Sequence, residues 1–159
     1  MAYNPSNTNY GSRNTGYAGS QKSTAESTAL SPDDKTMIKK IICEDDTAAE
    51  LVKFADNKAD RLVRDNLTTS QLRNIFGEFR KIEAFWEMDP TASQRRLRLL
   101  QPKLAYQQKR EPKTEHFCAI MTEAIEQVFN SKDIDKGYRN CMNLMEAIVA
   151  YHKNKGGKD

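Results

Sequence analysis

The sequence predicts an all-α fold: a compact bundle of five to six helices with a disordered N-terminal tail. Three observations carry that expectation. From Ser31 onward, apolar residues recur at steps of three and four, the helical period. Capping signatures stand where those runs begin. No run alternates apolar and polar residues with the strand period.

Residues 1–30 are rich in Asn, Ser, Thr, Gly and Tyr and hold almost no aliphatic side chain before Leu30. Ordering a backbone costs roughly 1–2 kcal/mol per residue, which such a segment cannot offset by burial. It is expected to be a disordered low-complexity tail. Tyr3, Tyr10 and Tyr17 recur every seven residues, but no second apolar position accompanies them to make a heptad.

The bundle is expected over residues 31–155. Ser31-Pro32-Asp33-Asp34 supplies an N-cap, a proline at the first helical position and acids against the dipole, opening a short helix to about Cys43. Glu44-Asp45-Asp46 reads as a charged linker. Thr47-x-x-Glu50 reads as a capping box before a helix with Ala48, Leu51, Val52, Ala55, Ala59 and Leu62 on one face. Thr68-x-x-Gln71 is a second box, with Leu67 and Leu72 placed as a hydrophobic staple. Leu72, Ile75, Phe76, Phe79, Ile82 and Trp86 then form one stripe that stops before Asp89-Pro90.

Thr91-x-x-Gln94 is expected to open a fourth helix, with Leu97, Leu100 and Leu104 facing inward. Pro102 lies inside it, and a break or kink is expected near Gln101. Glu111-Pro112 ends the segment. A fifth helix carries Phe117, Ile120, Met121, Ala124 and Val128. A sixth carries Ile134, Tyr138, Cys141, Met145, Ile148 and His152, and is expected to fray at Gly156-Gly157, leaving a frayed C-terminus over 156–159.

Charge is distributed unevenly. The net charge is only +3, yet residues 95–113 hold seven basic residues and one acidic residue. Local asymmetry of this kind points to a polyanionic partner. Arg96, Lys103 and Arg110 are seven apart, so on an unbroken helix they form a stripe drifting about 20° per step and bordering the leucine face. Arg95, Arg98 and Lys109 surround it. Arg73 and Arg80, also seven apart, offer a second basic edge on the preceding helix.

Enzyme chemistry finds no support. His116 and His152 have no partner at ligand spacing, and His116-x-Cys118 falls short of the four ligands of structural zinc. P-loop, G-x-S-x-G and H-E-x-x-H motifs are missing. The expectation is no catalytic residue, no metal and no cofactor. Cys43, Cys118 and Cys141 form no C-x-x-C pair and read as reduced, mostly buried thiols. No secretory or membrane segment is evident, so a cytoplasmic location is expected.

Three stretches carry a resemblance: Leu67-Thr68-Thr69-Ser70-Gln71-Leu72-Arg73-Asn74-Ile75, Leu99-Leu100-Gln101-Pro102-Lys103-Leu104-Ala105-Tyr106-Gln107, and Met145-Glu146-Ala147-Ile148-Val149-Ala150-Tyr151-His152-Lys153. In that order and at those distances, residues 47–155 resemble the small subunit of type III-A CRISPR–Cas effector complexes, the Csm complexes of antiviral defence. The resemblance implies a non-catalytic helical bundle. It implies several copies stacked beside a repeated backbone subunit, with a large polymerase-like subunit in the same complex. These copies would line the groove that holds guide (CRISPR) RNA and target RNA, where sequence is read by base pairing. By position it implies RNA contact for Arg73, Lys103, Arg110, His152 and Lys153, and Lys109 preserves charge in the pair that closes the helix. Arg95, Arg96 and Arg98 lie in a turn that varies between members and enter on charge. Two alternatives remain from the residues themselves: a helical protein-interaction adaptor with a merely solvated basic face, and a DNA-binding regulator.

Overall fold

The structure, a computed structural model, describes residues 29–159. The tail expected over 1–30 therefore lies outside the described residues, except for its last two positions. Six α-helices follow: α1 Pro32–Cys43, α2 Ala48–Arg64, α3 Thr69–Trp86, α4 Pro90–Arg110, α5 Glu115–Asn130 and α6 Ile134–Asn154, with a 3-10 turn Pro112–Thr114 before α5. No strand occurs among the described residues.

The helices start largely where side chains satisfy their first N–H groups. Ser31 Oγ accepts from the Asp34 N–H at 3.0 Å. The capping box at α3 is complete: Thr68 Oγ1 accepts from Gln71 N–H, and Gln71 Oε1 accepts from Thr68 N–H. Leu67 and Leu72, the staple residues, are both buried in the core. Two starts differ from expectation. Thr47 makes no cap bond; its buried hydroxyl donates to the Ile41 carbonyl, and Glu50 instead pairs with Lys40 at 2.6 Å. α4 is capped by Asp89, which accepts from Ala92 N–H, with Pro90 at the first position, so it begins before Thr91.

One hydrophobic core joins all six helices. α5 and α6 occupy its centre. α6 packs against α1, α2, α3 and α5, while α5 also meets α1 and α4. Each fully buried Leu, Ile or Phe there contributes about 1.5–3 kcal/mol before entropy is counted. Polar ties fix the register between α3 and α6. Tyr138 stacks on Trp86 at 4.0 Å and donates its hydroxyl to the Phe79 carbonyl, while Trp86 Nε1 donates to Asp135. Burial pushes the Tyr138 phenol well above its ordinary range, so it stays a hydrogen-bond donor. α1 and α2 are tied by the nearly buried pair Lys58–Asp34 at 2.7 Å.

α4 runs unbroken through Pro102, so of the expected kink or break the break does not occur. Pro102 is exposed, so the Arg98 carbonyl deprived of its N–H partner lies on the outer side of the helix, where water can serve it. The leucines on the other side keep the helix seated.

The C-terminus is not frayed. Gly156 has φ +87, its N–H bonds to the Lys153 carbonyl, and Gly157 N–H bonds to the His152 carbonyl. This is a Schellman closure. The following carbonyl, of Lys158, accepts from the Thr69 N–H at 2.6 Å, which docks the chain end on the start of α3. Lys155 reaches Asp56 and Asp60 of α2.

Two stability changes follow. Pro102→Ala should stabilise the protein by about 2 kcal/mol, since alanine restores a helical N–H at a solvent-facing position. Gly157→Ala should cost about 1–3 kcal/mol, because its Cβ would stand 2.1 Å from His152 Cε1. Urea titration at constant slope reads both: the midpoint should rise for the first and fall for the second.

Candidate nucleic-acid interface

α4 is held by Leu97, Leu100 and Leu104, which face α3 and α5 and are essentially buried. That seating fixes which residues point outward. Arg96, Lys103 and Arg110 are all exposed and lie on one flank of a continuous helix. Over fourteen residues at about 1.5 Å rise, the stripe is roughly 21 Å long. Arg95 and Lys109 are exposed beside it. None of Arg95, Arg96, Lys109 and Arg110 forms an ion pair with another described residue. Arg96 lies over the Phe85 ring at 5.3 Å, an arrangement that orients the guanidinium without neutralising it.

Arg98 belongs elsewhere. It sits about 200° around α4 from Arg96, pairs with Glu126 at 3.0 Å and lies 3.7 Å over the Phe129 ring. Its charge is spent on α5, so the structure separates it from the stripe.

The second basic edge is also rearranged. Arg73 and Arg80 lie roughly 150° around α3 from Glu78, the side that meets α4. Arg80 is engaged by Glu83 and by Glu146 of α6 and covers the Phe76 ring. The α3 cation that faces α4 is Lys81, which the search for seven-residue arginine spacing missed. The signal was present in the sequence as Asn74, Glu78 and Lys81, the outward companions of the Ile75–Ile82 core positions.

His152 is corrected outright as a surface residue. It is fully buried, and its Nε2 donates to the Leu67 carbonyl at 2.8 Å while Gly157 packs on the ring. The residue closes the corner between α2 and α3 and offers nothing to a ligand. Lys153 is exposed but bonded to Asp159 at 2.6 Å. The Asp159 carboxyl is held below the ordinary carboxylate range, first by the Lys153 hydrogen bond and charge and then by the charge of Arg73. Arg73 and Lys153 thus share one acid at the bundle end away from Arg96.

Between α3 and α4 runs a groove. One section is an open cleft of about 430 Å³ with Ile75, Leu100 and Leu104 on its walls. It continues past Lys81, Arg96 and Leu99 toward Arg95 at the start of α4. Glu78 lies in the wall, 3.5 Å from Lys103 and 2.6 Å from Lys81. Its carboxyl is lowered, first by the Lys81 hydrogen bond and then by the charges of Lys81 and Lys103, so it stays ionised.

Among the described residues no group of three or more His, Cys, Asp or Glu side chains is arranged to hold a metal. Asp45 of the acidic linker pairs with Lys136. Burial raises the Cys118 thiol to about 11 and the Cys141 thiol to about 12, and it also raises Cys43, whose Sγ–H donates to the Gln127 carbonyl. The buried Cys118 and Cys141 thiols are therefore protonated at neutral pH and unreactive. No helix among the described residues is long and apolar enough to cross a membrane.

The family model described as Csm2 Type III-A matches residues 45–158. No curated protein and no solved structure matches the chain.

The thiol chemistry is directly measurable. At pH 8, Cys118 and Cys141 should resist an aromatic disulfide reagent in the folded protein and react at once in urea. Rapid labelling of either in the native state would show that the core opens there.

Proposed function

Because the chain belongs to the Csm2 Type III-A family, and so is a small subunit of a type III-A CRISPR effector complex, we propose that it is a non-catalytic lining subunit that holds RNA along α4. The observation that carries this reading is the exposed, unbroken stripe Arg96–Lys103–Arg110, with Arg95, Lys109 and Lys81 beside it. Several copies stack and present their stripes to guide RNA and target RNA. The repeated backbone subunit and the large polymerase-like subunit complete the groove, in the cytoplasm.

The chemistry suits that role. Cations at intervals of about 10 Å along a rigid helix meet phosphates spaced along a strand, not each one in turn, and carry no sequence information. Sequence discrimination is then left to pairing between the two RNA strands. The surface pair of Lys103 with Glu78 contributes only about 0–1 kcal/mol, so Lys103 can turn outward to a phosphate while Glu78 stays with Lys81. Arg80 and Arg98, each clasped by carboxylates and an aromatic ring, are secondary contacts. Arg73 and Lys153 form a separate basic point beside Asp159, on the side of α3 turned away from Glu78.

The test is the triple variant Arg96→Ala, Lys103→Ala, Arg110→Ala in a reconstituted effector complex. Target-RNA affinity should fall at least tenfold at moderate salt. The slope of log affinity against log salt should shrink by about 2–3, one contact per cation. Unchanged affinity and slope would overturn the assignment of the groove to α4.

A further inference from the structure

The stripe accounts for the cations but not for the cleft beside them. Tyr106 stands at its mouth with 67% of its surface exposed, the most exposed aromatic ring among the described residues. Asn74 and Gln107 also line the cleft, and neither side-chain amide has a hydrogen-bond partner among the described residues. Glu78 adds an ionised acceptor. The volume of about 430 Å³ falls in the range of small-ligand pockets, roughly 300–1,000 Å³.

Resting on the RNA reading above, we propose that this cleft takes one unpaired nucleobase of the bound strand. The base stacks on Tyr106 and presents its polar edge to Asn74, Gln107 and Glu78. The flanking phosphates lie on Lys103 and Arg110. Each part of the cleft argues for this occupant. A phosphate would be repelled by the Glu78 carboxylate in the wall, whereas a base edge offers that carboxylate N–H donors. The apolar walls formed by Ile75, Leu100 and Leu104 suit a planar ring. The amides supply both donors and acceptors, as base edges require. An exposed tyrosine next to cations is the usual platform for a splayed base. The site tolerates different bases, since every base has a face to stack and the amides can turn.

The test uses the full chain and two fluorescent single-stranded RNAs of equal length, one of mixed sequence and one whose central nucleotides are abasic. Both carry the same phosphates. Wild type should bind the base-bearing strand about tenfold more tightly. Tyr106→Ala should erase that preference with the salt slope unchanged, and Tyr106→Phe should keep it. Arg110→Ala should weaken both strands alike. Tyr106 is exposed, so its variants should fold, which circular dichroism checks. Equal wild-type binding of both strands, with a steep salt slope, would overturn the base pocket and leave the phosphate stripe standing. A preference that survives Tyr106→Ala would also overturn it. Failure of wild type to bind either strand, with self-association that Tyr106→Ala abolishes, would overturn both readings and make the cleft a protein contact.

Discussion

Everything the outer face of α4 presents depends on three leucines. Leu97, Leu100 and Leu104 are the apolar positions that seat this helix against α3 and α5. At about 1.5–3 kcal/mol each, they outweigh the roughly 3 kcal/mol that a proline costs in a helix interior. They therefore explain how Pro102 is carried without a break. They also fix the rotation of α4 about its axis. Turning the helix by one residue, about 100°, would bury an arginine or expose a leucine, and neither is tolerated by a packed core. The direction in which Arg96, Lys103 and Arg110 point is thus a consequence of packing on the opposite flank.

The charges on that surface fall into two groups. Arg80 and Arg98 are held between carboxylates and aromatic rings, and they fasten α3 to α6 and α4 to α5. Arg95, Arg96, Lys109 and Arg110 have no such acid among the described residues. Sequence shows these cations as one block of positive charge; only the packing separates fasteners from free charge. Because exposed pairs contribute little to stability, the unpaired group is the one whose presence the fold does not require. An unneeded cluster of like charge raises the energy of the free protein by self-repulsion, and a polyanion relieves it.

The fold was largely legible because its signals are local. The Thr68–Gln71 box and the Leu72–Trp86 stripe are read within one helix, and both are realised. The errors came where the deciding partner is distant in sequence. Thr47 has the residues of a capping box, but its hydroxyl is drawn to the Ile41 carbonyl in the preceding turn. His152 looks like a terminal basic residue, but Leu67 and Gly157 enclose it. Gly156-Gly157 suggests fraying until Thr69 accounts for the chain end. At the site, the α4 cations were visible as composition and period. Lys81 was not, because its relevance rests on which flank of α3 turns toward α4, and that is settled by contacts with α6 on the other side.

The same separation explains why a carboxylate belongs in a basic face. A surface made only of cations would bind any polyanion at any depth, and phosphate would enter the cleft between α3 and α4. Glu78, held ionised by Lys81 and Lys103, prevents that. Under the proposed RNA role it would hold the phosphate path out on the flank of α4, at the level of Lys103 and Arg110, and leave the apolar cleft to neutral groups. Mixed sign at short range therefore sorts the parts of a nucleotide: charge to the rim, ring to the interior. In the proposed role, that would be recognition of the shape and chemistry of a strand without its sequence, as a subunit that delegates sequence to base pairing requires.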